Sequence, residues 1–204
     1  MKKEENDNPS KNAQIEEFLS ACYEFRYNTV LHRAEYRSRG TDDYIAIDRY
    51  RINTLKRALD KEADVQTSPE NLYSIIESDF SPRVNPVQAY FQALPMTKGN
   101  AEAITALSDC VSVTNPEKWK EYLTKWLVAV VANVMDDKQC RNHTCLVLTG
   151  EQGKFKTTFL DLLCPPALSD YRYTGKIYPQ EKDALSLIGQ NLIINIDDQL
   201  KALN

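Results

Sequence analysis

The segment Cys145–Cys164 (CLVLTGEQGKFKTTFLDLLC) carries the residues most suited to chemistry. Gly150 and Gly153 lie in a polar loop, and Lys156 and Thr157 follow at the predicted start of an apolar helix. Glycines let a loop turn its N–H groups toward phosphate oxygens, and a helix N-terminus adds partial positive charge. A lysine at this point can reach the β- and γ-phosphates, and a threonine hydroxyl can ligate Mg²⁺. The order of strand, glycine loop and helix therefore predicts a site for ATP and Mg²⁺, formed by Gly150, Gln152, Gly153, Lys154, Phe155, Lys156, Thr157 and Thr158.

The loop departs from the usual GxxxxGK[ST] pattern at one position. Phe155 stands where a glycine normally precedes the lysine. A bulky residue there is expected to strain the loop or to give it another shape. The alternative interpretation is a chance glycine- and lysine-bearing loop between a strand and a helix.

A second apolar segment, Asn191–Asp198 (NLIINIDD), ends in two acids. With the helix predicted near Glu181–Ile188, its spacing suits a neighbouring parallel strand. Asp197 is then expected to join Thr157 around Mg²⁺, and Asp198 to orient water. Taken alone, the two acids would be only a polar strand end. The predicted catalytic set is Lys156, Asp197 and Asp198.

The rest of the chain predicts a mostly helical N-terminal region with a β-hairpin. The hairpin strands are Tyr23–Val30 and Ala34–Arg37, where aromatic and polar residues alternate. Hydrophobic periodicity and the Ser-Pro and Asn-Pro starts predict helices at 15–19, 47–63, 68–81, 85–94 and 116–135. The predicted fold class is α/β. The chain divides into a disordered lead-in (1–12), the helical region (13–112) and a P-loop core with parallel strands (113–204).

Residues 26–57 form a locally basic stretch, with eight basic and four acidic residues and several interleaved tyrosines. Such a stretch suits single-stranded DNA, because tyrosines stack on bases and cations contact phosphates. The opposing interpretation, slightly favoured, is a solvated basic face over tyrosines that pack inward. The whole chain has a net charge of −4, so any nucleic-acid surface must be local.

The composition predicts a cytoplasmic protein that does not cross a membrane. The five cysteines include no CxxC pair, a pattern that fits free thiols in a reducing compartment. Cys140, His143 and Cys145 lie close together in the sequence, but a zinc site needs a fourth ligand. Burial of Cys145 as a small hydrophobe at the start of a strand is the favoured interpretation.

The chain resembles the virulence-associated E (VirE- or VapE-like) family of phages and mobile elements. The matching segments are FRYNTVLHRAEYR, NPVQAYFQAL, WLVAVVANV, VLTGEQGKFKTTFLDLLCP and NLIINIDDQL. The resemblance implies a P-loop ATPase of the superfamily 3 helicase type, coupled to primase modules, acting as a homo-oligomeric ring on single-stranded or forked DNA. The family often has glycine where Phe155 stands and glutamate where Asp198 stands.

The resemblance also implies a sensor residue and an arginine finger beyond Asn204. The sequence is therefore expected to be an N-terminal fragment without useful hydrolysis of its own. Two other functions stay open: a non-enzymatic, degenerate P-loop scaffold with a docking surface, and a nucleotide kinase. The kinase is disfavoured, because no acceptor-binding lid is recognisable in the sequence.

Overall fold

The computed structural model describes residues 9–95, 101–136 and 144–196. The chain divides into two compact units, the N-terminal unit (1–86) and the C-terminal unit (87–204). This boundary lies earlier than the boundary near residue 112 that the sequence suggests. The mixed α/β class predicted from the sequence is confirmed.

The N-terminal unit combines a four-stranded sheet with three helices. The sheet order is β3-β2-β1-β4, with antiparallel neighbours except for the parallel pair of β1 and β4. In chain order the elements are α1 (Lys11–Cys22), β1 (Tyr23–Asn28), β2 (Arg33–Ser38), β3 (Ile45–Ala46), α2 (Arg49–Glu62), α3 (Pro69–Ile76) and β4 (Arg83–Val84).

The core of the N-terminal unit lies between the helices and one face of the sheet. That face presents Phe25 and Tyr36, whose rings stack with centroids 5.8 Å apart. Because side chains alternate along a strand, the intervening residues point to the other face. The helical side of the core is formed by buried aliphatic residues: Ile15, Leu19, Ile52, Leu55, Leu59, Leu72 and Ile76.

The C-terminal unit contains helices and a two-stranded parallel sheet. Its described elements are α5 (Ala101–Asp109), α6 (Pro116–Met135), α7 (Lys156–Leu162), a 3₁₀ helix (Pro166–Tyr171), β5 (Arg172–Gly175), α8 (Ala184–Gln190) and β6 (Ile193–Ile196), while α4 (Pro86–Ala93) begins at the boundary. Trp119 of α6 is buried and donates its indole N–H to the Ser108 carbonyl at 3.0 Å. Large apolar side chains are exposed in both units, but most of the exposed ones that the structure describes belong to the C-terminal unit, including Val128, Leu162, Leu185 and Ile188.

The structure differs from the sequence predictions at several elements. Residues 145–149 are not in a strand, because no segment among the described residues pairs with them. Helix α1 begins at Lys11, inside the predicted disordered lead-in, because the Ser10 hydroxyl accepts the Ala13 N–H. Strand β5 and helix α5 were not predicted. The hairpin, α2, α3, α4, α6 and the start of α7 are confirmed.

No helix within the described residues is both long and apolar enough to span a bilayer.

Candidate phosphate-binding loop

The loop of residues 150–157, called the glycine loop below, is built on left-handed backbone. The φ angles are 152° at Gly150, 80° at Gly153 and 56° at Phe155. Glycine adopts such values freely, whereas a side chain makes them costly by about 1–2 kcal/mol. Phe155 therefore occupies a conformation suited to the glycine of the usual pattern. Its ring is 78% exposed, so the side chain has little packing to offset this strain.

Lys156 folds back across the glycine loop. Its Nζ donates hydrogen bonds to the carbonyl oxygens of Gly150 at 3.1 Å and Glu151 at 2.6 Å. The ammonium group is thus held over the loop rather than extended into solvent. Lys154 instead makes an exposed ion pair with Glu151, with Nζ and Oε2 3.5 Å apart.

The other predicted site residues divide into described and undescribed ones. Gln152 and Thr158 are exposed, and Thr157 is half-buried in the first turn of α7. The structure therefore brings the predicted loop residues together around the start of one helix. Asp197 and Asp198 lie outside the described residues, and β6 ends at Ile196 immediately before them.

Helix α7 is fastened to the parallel sheet by Asp161. Its Oδ1 accepts hydrogen bonds from the Thr174 hydroxyl at 2.6 Å and from Asn195 Nδ2 at 3.0 Å. Its backbone carbonyl accepts a further bond from Arg172 at 2.9 Å. One residue of α7 thus contacts both β5 and β6. Sequence analysis did not single out Asp161; the available signal was a lone acid within the apolar run FLDLL.

Asn195 also links β6 to the first turn of α7. Its Nδ2 donates to the Thr157 carbonyl at 3.3 Å, and the residue is only 5% exposed. This contact puts the end of β6 beside the residue predicted to ligate Mg²⁺. Helix α7 also contacts α6, because the ring centroids of Phe159 and Trp119 lie 6.1 Å apart.

The environment of Asp161 favours its ionised form. Burial by itself would raise the pKa of this carboxyl. The hydrogen bonds from Asn195 and Thr174 and the positive charge of Arg172 outweigh burial, and the pKa is lowered overall. Asp161 is therefore an acceptor in the network at neutral pH, not a proton donor.

The zinc site considered for Cys140, His143 and Cys145, and not favoured, finds no support in the described residues. Cys140 and His143 lie outside them, and no group of three metal-ligating side chains occurs within them. The interpretation of Cys145 as a buried hydrophobe is wrong, because its side chain is exposed. The missing strand explains the difference, since an unpaired segment does not place Cys145 in a packed sheet.

The arginines of the hairpin fit the interpretation of a solvated basic face better than the interpretation of a DNA-binding surface. Arg26 and Arg33 both bond Glu35, with the nearest atoms 2.7 and 2.9 Å apart. Arg37 and Arg39 contact Glu24. Tyr44 covers this face, with its ring centroid 3.9 Å from the Arg26 guanidinium carbon. The hairpin arginines therefore have carboxylate partners already.

Glu35 is the buried centre of that arrangement. Burial would raise its pKa, but hydrogen bonds from Arg26, Asn28 and Arg33 outweigh the effect and lower the pKa overall. The Asn28 amide donates at 2.9 Å, and its own Oδ1 accepts the N–H groups of Val30 and Leu31. This cluster fixes the hairpin turn.

The fold and the glycine loop define a class: a mixed α/β protein in which a parallel strand pair supports the helix that follows the loop. A model of the virulence-associated protein E-like domain matches residues 92–203, more than half of the 204-residue chain. The chain belongs to this virulence-associated protein E-like family. The match includes the glycine loop and the two acids after β6. No match was found among curated proteins or among solved structures.

Proposed function

We propose that the glycine loop binds the phosphates of ATP, and that the protein is the ATP-binding part of a mobile-element replication ATPase of the helicase type. The observation that carries the proposal is the position of Lys156. Its ammonium group lies against the carbonyls of Gly150 and Glu151, at the mouth of an exposed loop. An ATP phosphate competes for this cation as a charged acceptor, which makes a stronger hydrogen bond than a neutral carbonyl.

The surroundings of Thr157 fit a role for Mg²⁺. When bound, the ion neutralises charge that develops on the phosphates. The Thr157 hydroxyl and the Asp197 carboxylate are the proposed ligands, both hard oxygen donors of the kind that Mg²⁺ prefers. The contact between Asn195 and the Thr157 carbonyl supports this pairing, because it holds the end of β6 at the first turn of α7. Asp198 is proposed to orient the attacking water.

Replacement of Lys156 tests the proposal directly. Lys156→Ala removes the point charge offered to the phosphates, and we expect ATP affinity to fall at least tenfold, or about 1.4 kcal/mol. Isothermal titration calorimetry with Mg²⁺-ATP measures the change. Lys182→Ala is the matched control, because Lys182 is an exposed lysine of the same unit outside the loop. Equal affinity of the Lys156 and Lys182 variants would contradict the proposal.

The second candidate is a degenerate P-loop scaffold that does not hydrolyse ATP. It is favoured by Phe155, a strained and exposed residue at a point where the backbone suits glycine. ATPase assays with and without single-stranded DNA separate the two candidates. Phosphate release stimulated by DNA supports the ATPase, and ATP binding without turnover supports the scaffold.

A further inference from the structure

Helix α2 exposes one face to solvent, and this face carries several cations and an aromatic ring. Ile52, Leu55 and Leu59 are buried and define its core side. Tyr50, Arg57 and Lys61 follow the opposite side, since residues at such spacing share one face of a helix. Arg49 and Lys56 flank this row. The five residues Arg49, Tyr50, Lys56, Arg57 and Lys61 are called the α2 surface below.

The four cationic side chains of the α2 surface differ from the arginines of the hairpin in their contacts. Within the part of the chain that the structure describes, none of the four makes an ion pair or a side-chain hydrogen bond. The neighbouring Arg51 is different, because it pairs with Asp48 at the start of the helix. The hairpin differs, because its arginines bond Glu24 and Glu35, whereas these four cations of α2 have no such carboxylate partner among the described residues.

The α2 surface also carries an exposed ring and adjoins a groove. Tyr50 is 78% exposed, whereas the other aromatic side chains of residues 9–86 are buried or half-buried. The groove has a volume of about 300 Å³ and is lined by Lys56, Arg57, Asp60, Gln66 and Thr67. Two cations, one carboxylate, an amide and a hydroxyl thus line one groove beside the helix.

We propose that the α2 surface binds single-stranded DNA. Clustered cations complement a phosphate backbone, and an exposed tyrosine ring offers a platform on which an unpaired base stacks. A duplex has no free base faces, so the exposed ring selects a single strand. The choice of DNA over RNA rests on the proposed replication function; the binding surface itself does not depend on the glycine loop.

Fluorescence anisotropy with a labelled oligothymidylate tests the surface on the full 204-residue chain. Arg57→Ala/Lys61→Ala should weaken binding about tenfold at low salt and reduce the slope of log K against log salt by about 1.4. Lys118→Ala/Lys120→Ala removes the same charge from exposed positions of α6, and its affinity should stay unchanged. Thermal unfolding of each variant verifies that it is folded.

Three further variants test the surface without removing any of its cations. Tyr50→Ala should weaken binding about fivefold or more, whereas Tyr50→Phe keeps the stacking ring and should bind like the original chain. Asp60→Asn removes a repulsive charge from the groove and should tighten binding about twofold. A gain of affinity cannot come from misfolding.

The proposal is overturned if the α6 double variant loses as much affinity as the α2 double variant, or if Asp60→Asn has no effect. Equal or tighter binding of duplex DNA or of oligouridylate also overturns it. The Lys156→Ala variant should bind the oligonucleotide normally, and the α2 double variant should bind ATP normally. A failure of ATP binding with intact α2-dependent DNA binding therefore sinks only the proposed function, and the reverse result sinks only this inference.

Discussion

Phe155 places a large side chain on backbone that glycine would adopt without strain. Its ring contributes little packing, because more than three quarters of its surface is exposed. The cost of the left-handed conformation is therefore not offset by burial. At this position the backbone, rather than the side chain, keeps the geometry expected of a phosphate loop.

Phe155→Gly should preserve the fold and preserve or improve ATP affinity. Relief of left-handed strain contributes about 1–2 kcal/mol, and the added freedom of glycine in the unfolded chain removes about 0.4–1 kcal/mol. The melting temperature should thus stay within a few degrees. Differential scanning calorimetry without nucleotide is the measurement.

Phe155→Ala is the informative control, because alanine removes the ring but keeps the strained Cβ. A large fall in melting temperature for both variants would mean that the ring packs in solution. A fall for neither variant, with ATP affinity kept, agrees with the exposed position.

At the residue scale, the sequence predicted the loop but not its supports. The glycines, the lysine and the threonine of the loop can be recognised because they are close together and in a fixed order in the sequence. Asp161 and Asn195 meet only because α7 lies on β6, and 33 residues separate them in the chain. Arg26 and Arg37 show the same limit, since their carboxylate partners Glu35 and Glu24 lie on the facing strand.

Helix α7 is the element that positions the glycine loop, and Asp161 is its main polar attachment. A seven-residue helix has little stability of its own, so tertiary contacts must hold it. The side-chain bonds to Thr174 and Asn195 and the packing of Phe159 against Trp119 supply such contacts.

Asp161→Ala should destabilise the C-terminal unit by about 1–3 kcal/mol, because it leaves the buried Asn195 amide without one of its acceptors. Urea unfolding followed by tryptophan fluorescence measures the change, since both tryptophans lie in α6. Asp183→Ala is the control; Asp183 precedes α8 and makes no side-chain capping bond. Equal urea midpoints for the two variants would show that the hydrogen bonds of Asp161 do not stabilise the C-terminal unit.

Helices with strong start signals were predictable as elements. Ser68 and Asn115 each cap a helix whose first residue is proline, and both side chains accept a hydrogen bond from the backbone. Strand β5 was not predictable, because its four residues, Arg-Tyr-Thr-Gly, show no apolar run. It is a strand because β6 pairs with it in parallel.

At the scale of the whole molecule, each unit depends on a partly or fully buried carboxylate with a lowered pKa. Glu35 serves the N-terminal unit and Asp161 the C-terminal unit. A group whose folded pKa lies below its unfolded value stabilises the fold above the unfolded pKa. That contribution is lost as the pH falls through the folded pKa.

The melting temperature should therefore be steady near neutral pH and decline as the pH drops below about 4, where free carboxyls begin to protonate. Calorimetric scans across this range are the measurement. Glu35→Gln should melt lower at neutral pH, because Arg26 and Arg33 lose a charged partner, and its decline with acid should be shallower. Parallel curves for the variant and the original chain would contradict this account of Glu35.

The unequal distribution of exposed apolar side chains has a practical consequence. Salts that are excluded from protein surfaces, such as ammonium sulfate, promote burial of apolar area in proportion to the area available. Among the described residues the C-terminal unit offers most of that area, through side chains such as Leu185, which is 82% exposed. We expect the chain to salt out, and to be retained on hydrophobic chromatography media, mainly through its C-terminal unit.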